Sequence, residues 1–185
     1  MRLIYKSSFL LLILLTLIFS NAHAHEDWEV ARYEDQSYAI VSGEIQYSDK
    51  FSFILSPKEQ CEEVSSMFSF FTWNNPGDIN QLIGKQVPIK LNEIETTAEV
   101  LTIFPYKDGL KVVFYLGTFP LKEYIYTMYK YYESEGIYQI QIIDGLNFNA
   151  NKYFDITENN WKFNKLISSV YEAYEICKSI NDKNI

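Results

Sequence analysis

TAEVLTIFPYKDGLKVVFYL, residues 97–116, is the stretch that decides the fold. Two runs of β-branched and aromatic residues, 97–104 and 110–116, flank the turn Lys107-Asp108-Gly109. Such residues fit a pleated, half-buried surface, and Asp-Gly between two runs of this kind is a strong hairpin signal. The stretch therefore predicts two antiparallel strands joined by a tight turn.

The chain before this hairpin is also predicted to form strands. Short apolar or alternating runs lie at residues 28–33, 38–41, 51–55, 64–73 and 86–91. Asn74-Asn75-Pro76-Gly77-Asp78 is the strongest turn signal in the chain and separates the last two runs. The N-terminal half is therefore predicted to be β structure.

A helix is predicted directly after the hairpin. It begins near Pro120, because proline suits the first helical position, and it ends at Gly136. One face of this helix is apolar and consists of Leu121, Tyr124, Ile125, Met128 and Tyr132. Tyr126 lies on the opposite, polar face, so the core does not require it.

A second helix is predicted over residues 164–179. One stripe of it is apolar and consists of Leu166, Val170, Ala173, Cys177 and Ile180. Between the helices, residues 137–143 alternate and predict a half-buried strand, and residues 153–156 are predicted to form one more. The whole pattern predicts an α+β fold, a mainly antiparallel β sheet or sandwich with one mid-chain helix and a C-terminal helix.

The first 24 residues are predicted to be a signal peptide. Arg2 and Lys6 precede an apolar run at 9–19, and Ala22-His23-Ala24 is a small-x-small cleavage signal. The apolar run is too short for a comfortable membrane span, which needs about 20 residues. We therefore expect one exported domain, residues 25–185, in the periplasm or secreted, with no membrane span after cleavage.

Charge limits the partners of this domain. The 185-residue chain has a net charge of −8, and removal of Arg2 and Lys6 with the signal peptide makes it −10. An acidic surface opposes binding to nucleic acids and to anionic membranes. It is compatible with a basic protein partner, and equally with a simple role in solubility.

Cys61 and Cys177 are the two cysteines of the chain. An even count in an exported protein predicts a disulfide bond, and Cys177 lies on the apolar stripe of the second helix. The alternative is a pair of buried free thiols.

Scarce histidine excludes several chemistries. After cleavage the chain has one histidine, His25, at its N-terminus. A Ser-His-Asp triad would need an interior histidine, and a zinc site or a two-histidine copper site would need more histidine ligands than the chain has. The seven glycines are scattered and form no phosphate-binding loop. We therefore expect no cofactor, no metal and no enzyme activity.

Carboxylates leave two alternatives open. A hydrolase needs two carboxyl groups facing each other across a cleft, and three sets of acids are close in sequence: Glu62 with Glu63, Glu93 with Glu95, and Asp155 with Glu158. Calcium is the other alternative, because five oxygen-bearing residues have EF-hand-like spacing: Asn147, Asn149, Asn151, Asp155 and Glu158. The competing interpretation of that segment is an Asn-rich connecting loop.

The last third of the chain resembles a known family. Ile140-Gln141-Ile142, Tyr153-Phe154-Asp155-Ile156 and Trp161-Lys162-Phe163 precede an amphipathic helix that ends in Tyr174-Glu175-Ile176-Cys177. This succession is similar to the close of small exported bacterial proteins of the invasion-associated locus B family. The resemblance implies a strand and a helix packed on a β sandwich, cysteines that staple its periphery, and an envelope or host-interaction role without catalysis.

These observations favour a non-enzymatic extracytoplasmic protein-binding domain. An inhibitor or immunity protein against a basic extracytoplasmic enzyme is the alternative, and a carboxylate-dependent hydrolase is a second one. The predicted partner-binding site is the turn with Trp73, Asn74, Asn75 and Asp78, with Tyr126 nearby. Trp73 either folds back over the core or is exposed as an anchor.

Mature protein is predicted to begin at His25, because cleavage follows Ala24. N-terminal sequencing of protein from the envelope fraction measures this directly. Full-length protein recovered from the cytosol would contradict the export prediction.

Overall fold

The computed structural model of the chain describes residues 28–181. The predicted signal peptide, its cleavage site and residues 182–185 lie outside the described residues. The strands are β1 (Trp28–Tyr33), β2 (Gln36–Ser42), β3 (Lys50–Leu55), β4 (Glu63–Thr72), β5 (Gln86–Leu91), β6 (Ile94–Tyr106), β7 (Gly109–Pro120), β8 (Tyr138–Ile142) and β9 (Glu158–Trp161). The helices are α1 (Leu121–Glu135), α2 (Ala150–Tyr153) and α3 (Leu166–Asn181).

The nine strands of residues 28–181 belong to one sheet. Its order is β1-β2-β3-β4-β7-β6-β5-β8-β9, and every neighbouring pair is antiparallel. The predicted hairpin is present, with Tyr106 opposite Gly109 across the β6–β7 turn. The α+β prediction is confirmed, and of its two alternatives the structure has a single sheet.

Alternation along the strands decides which side chains are buried. In β3, Phe51, Phe53 and Leu55 are fully buried while the residues between them are half-buried. The same period places Ile140 and Ile142 of β8 in the core, as the sequence predicts. Apolar burial of this kind supplies the main stabilising free energy of the fold.

The sheet is curled, so that its last strand returns toward its first ones. Phe51 of β3 contacts Trp161 of β9 with ring centroids 5.8 Å apart. The indole nitrogen of Trp28 donates to the carbonyl of Lys162, 3.0 Å away, and the amide of Glu44 donates to the carbonyl of Asn160. Aromatic rings fill the space inside the curl: Trp28, Phe51, Phe53, Phe68, Phe70, Phe114, Tyr138, Phe154, Trp161 and Phe163.

Two long helices cover this core. α3 packs on β1, β2 and β3, and Ser37 of β2 donates a 2.7 Å hydrogen bond to the carbonyl of Ala173. α1 begins after Pro120 and ends at Gly136, whose φ of 73° is the left-handed conformation that glycine adopts freely. Within residues 28–181 neither helix is long and apolar enough to cross a membrane.

Cys61 and Cys177 form a disulfide bond, as predicted. Their Cα atoms are 6.1 Å apart, and both residues are fully buried. The bond joins the segment before β4 to the last turns of α3. It therefore fixes the C-terminal helix to the sheet.

The predicted strand at residues 153–156 is wrong. Asn149 caps the short helix α2 by accepting from the amide of Lys152, and this helix ends at Tyr153. Tyr153 and Phe154 are buried in succession, which breaks the alternation that a half-buried strand needs. The strand of this region is β9, five residues further along the chain.

Cys177→Ser is predicted to lower the free energy of unfolding by about 4 kcal/mol, because the bond closes a loop of 116 residues in the unfolded chain. Urea unfolding of oxidised protein measures the change. The Cys61→Ser, Cys177→Ser double variant is the control and should lose the same amount as either single variant. A loss below about 1 kcal/mol would contradict this role.

Candidate functional site

Four connections meet at one end of the sheet, which we call the loop end. They are residues 43–49 between β2 and β3, 73–85 between β4 and β5, 107–108 between β6 and β7, and 143–157 between β8 and β9. Thr72 lies opposite Leu110 in the β4–β7 pair, and Lys50 lies opposite Ser69 in the β3–β4 pair. The third and first connections therefore lie beside the second. Connections on a rigid sheet are common positions for binding residues.

Trp73 follows β4 directly and is 54% exposed. Its amide donates to Oδ1 of Asp155 at 3.0 Å, and the hydroxyl of Thr72 reaches the same oxygen at 2.7 Å. The rings of Trp73 and Phe71 form a T-shaped contact, with ring centroids 4.8 Å apart. The backbone of Trp73 is thus fixed while its ring is exposed, so Trp73 does not fold back over the core.

The remaining turn residues brace this position. Asn74 donates from Nδ2 to the carbonyl of Asn151, while Asn75 is exposed. Asp78 accepts from Lys152 Nζ and from the Tyr153 hydroxyl, and the hydrogen bond from Lys152 lowers the pKa of its carboxyl group. Asp78 is therefore engaged within the chain.

Leu146 is a further residue of the loop end and was not predicted. It is 100% exposed, at the tip of a tight turn closed by the pair Gly145 and Phe148. The Asp144-Gly145 turn signal predicts the reversal, but a single leucine carries no local signal for exposure. Ala150 donates its amide to Asp144 Oδ1, which fixes the base of this turn.

Tyr126 does not lie near the Trp73 turn, so that part of the site prediction is wrong. Pro120, just before α1, pairs with Glu63 at the opposite end of β4 from Thr72. Ten residues of strand separate these ends by about 30 Å. Tyr126 is exposed, as predicted from its helix face, and lines an apolar groove between α1 and α3 with Leu121, Ile125, Ile167, Val170, Tyr171 and Tyr174.

A buried polar network lies beneath the loop end. Asp49 is fully buried; its Oδ1 accepts from the amide of Phe71 at 2.6 Å and its Oδ2 accepts from Asn159 Nδ2 at 2.9 Å. Burial raises the pKa of Asp49 to about 7, against the two hydrogen bonds and the charge of Lys111, which lower it, while Asp155 raises it further. No local sequence signal distinguishes Asp49 from an exposed loop aspartate.

The carboxylate sets of the sequence lie apart on the sheet. Glu62 and Glu63 precede or begin β4, and Asp155 and Glu158 lie toward the loop end. Glu93 lies in the β5–β6 turn, and Glu95 is near the start of β6. All six are exposed, and two of them pair with lysines. In the Asn-rich segment, Asn149 caps α2 and Asp155 accepts from Thr72 and Trp73, so these two oxygens serve the chain itself.

Comparison of the chain with protein-family models, with curated proteins and with solved structures gives no significant match.

The pH dependence of stability is predicted to carry the signature of Asp49. Because its pKa is raised from 3.8 to about 7 in the folded protein, its contribution to stability is full below about pH 4 and is lost as pH rises toward 7. The stability of the native chain should therefore fall relative to that of Asp49→Asn over this interval, by up to about 4 kcal/mol.

Urea unfolding of both proteins at several pH values measures this difference, and Asp108→Asn in the exposed β6–β7 turn is the control. A stability difference between native chain and Asp49→Asn that stays constant from pH 4 to pH 8 would contradict the assignment.

Proposed function

We propose that this chain is a non-enzymatic extracytoplasmic protein-binding domain that contacts its partner through the loop end. The observation that carries the proposal is Trp73, a large aromatic ring that is half-exposed on a backbone fixed by Asp155 and Thr72. Tryptophan is among the residues most enriched in binding hot spots. A ring that is already held in position loses little conformational freedom when a partner binds.

Leu146 extends the same surface. The segment that bears it is tied to the Trp73 turn through α2, since Asn74 bonds Asn151 and Lys152 pairs with Asp78. An exposed leucine on a segment that is tied to the turn of an exposed tryptophan can supply the apolar part of a protein interface. Polar residues of the two turns, among them Asn75 and Asn147, supply the rim.

An extracytoplasmic location is part of this proposal. The predicted signal peptide and the Cys61–Cys177 bond support it, because disulfides persist in oxidising compartments. The resemblance of the last third to the invasion-associated locus B family supports an envelope or host-interaction role by analogy. The net negative charge favours a basic partner through the long-range field of the whole chain.

The inhibitor alternative is supported by one feature, the protruding Leu146 turn. A fully exposed leucine at the tip of a tight turn has the shape of a group that enters a cleft on another protein. An inhibitor would bind through the same loop end, so the two functions differ in the partner rather than in the surface.

Photo-crosslinking tests the surface. A photoreactive residue in place of the exposed Asn75 is predicted to give one discrete crosslinked product in an envelope extract. Adding Trp73→Ala should reduce that product about tenfold or more, because a hot-spot truncation costs at least about 1.4 kcal/mol of binding. The same change should cost the folded chain only about 1 kcal/mol, the edge contact with Phe71.

Two matched positions serve as controls. A photoreactive residue at Glu95, exposed beside the β5–β6 turn, should give no product, and Tyr126→Ala should leave the Asn75 product unchanged. A product that survives Trp73→Ala, or one that is lost in Tyr126→Ala, would overturn the assignment of the binding surface.

A further inference from the structure

Three lysines gather around two tyrosines at the loop end. Lys50 Nζ lies 4.9 Å from the ring centroid of Tyr47. Lys107 Nζ and Lys111 Nζ lie 5.6 Å and 4.4 Å from that of Tyr106. In a chain with 24 acidic and 16 basic residues, this is a local concentration of positive charge.

The charges of Lys50 and Lys107 are close enough to act on the ammonium group of Lys111. Burial lowers the pKa of Lys111, the charge of Asp49 opposes this change, and the charges of Lys50 and Lys107 lower the pKa further. Lys111 is 8% exposed and donates from Nζ to the carbonyl of Ser48. Like charges held together in this way repel, and an anion placed between them relieves the repulsion.

A cleft of about 350 Å³ opens beside these lysines. Its lining consists of Gln46, Tyr47, Ser48, Lys50, Tyr106 and Lys107. None of these described residues is acidic, and the hydroxyl of Ser48 is shielded from solvent without a hydrogen-bond partner. The nearest buried carboxyl group is that of Asp49, whose pKa of about 7 leaves much of its charge neutralised by its own proton near neutral pH.

We propose that this cleft binds the phosphoryl group of a small phosphate ester. Lysines recognise phosphate as point charges, and the hydroxyl and amide groups of the lining donate hydrogen bonds to its oxygens. The volume suits a small ester, since ligand clefts begin at about 300 Å³. A nucleic acid is disfavoured because it needs an extended basic surface, and the rest of this chain is acidic.

The site is separate from the proposed protein-binding surface, although Tyr106 connects them. The Tyr106 ring contacts Phe71, and Phe71 contacts Trp73. The ring contact of Lys107 is with Tyr106 and not with Phe71 or Trp73. Lys107→Gln therefore tests the cleft, and Trp73→Ala tests the other surface.

The experiment is an NMR titration of the exported chain with sn-glycerol 3-phosphate, with glycerol and sulfate as parallel probes. We expect saturable shifts at the amides of residues 46–50 and 106–107 with the ester, none with glycerol, and affinity at least about tenfold lower for sulfate. Lys107→Gln should weaken ester binding about tenfold, because it removes one exposed ammonium without disturbing a buried contact. Lys122→Gln, on the exposed face of α1, is the matched control and should bind as the native chain does.

Sedimentation with phosphatidylglycerol vesicles identifies the source of the ester. Binding of the soluble ester that depends on Lys107 supports a free metabolite, and vesicle binding that depends on Lys107 supports a lipid headgroup. No shift with the ester and no vesicle binding would overturn the proposal. So would an equal loss in Lys122→Gln, and equal affinity for sulfate would overturn the assignment to phosphate.

Discussion

The hydrogen bonds of the Asn159 side chain are the contacts on which the loop end depends. Nδ2 donates to Asp49 Oδ2 and to the carbonyl of Gln46, each at 2.9 Å, and Oδ1 accepts from the amide of Ile45. A Cβ atom at Gly43 would lie 2.3 Å from the side-chain nitrogen Nδ2 of Asn159. The return of β9 to the β2–β3 connection thus requires both an asparagine at 159 and the absence of a side chain at 43.

The same network positions both proposed binding surfaces. Asp49 Oδ1 holds the amide of Phe71, two residues before Trp73. The segment that Asn159 fixes carries the cleft residues Tyr47 and Ser48. A buried carboxyl group costs stability, and loss of one partner would leave it unpaired in the interior. The buried network thus gives the two proposed binding surfaces a rigid base, which is the arrangement expected of preorganised sites.

Alternation and helical stripes made most of the fold predictable, because they report which face of an element is buried. Phe51 and Phe53 revealed β3 in this way. The even cysteine count predicted the disulfide, and the position of Cys177 on its apolar stripe supported it. Strand β9 was not predicted because Glu158, Asn159 and Asn160 are polar and give no apolar alternation. In the structure Asn159 is nevertheless fully buried. The hydrogen-bond partners of the Asn159 side chain are more than one hundred residues away in sequence. No local sequence pattern indicates a buried polar residue whose partners are so distant.

Exposure was predictable for Tyr126, but its position relative to Trp73 was not. A helix face tells which residues leave the core, whereas the distance between two exposed residues follows from strand register. The β4–β7 register places the start of α1 and the Trp73 turn at opposite ends of a ten-residue strand. Trp73 and Tyr126 are therefore too far apart to contact each other. The effects of Trp73→Ala and Tyr126→Ala on the free energy of unfolding should therefore be additive, as for sites without shared contacts.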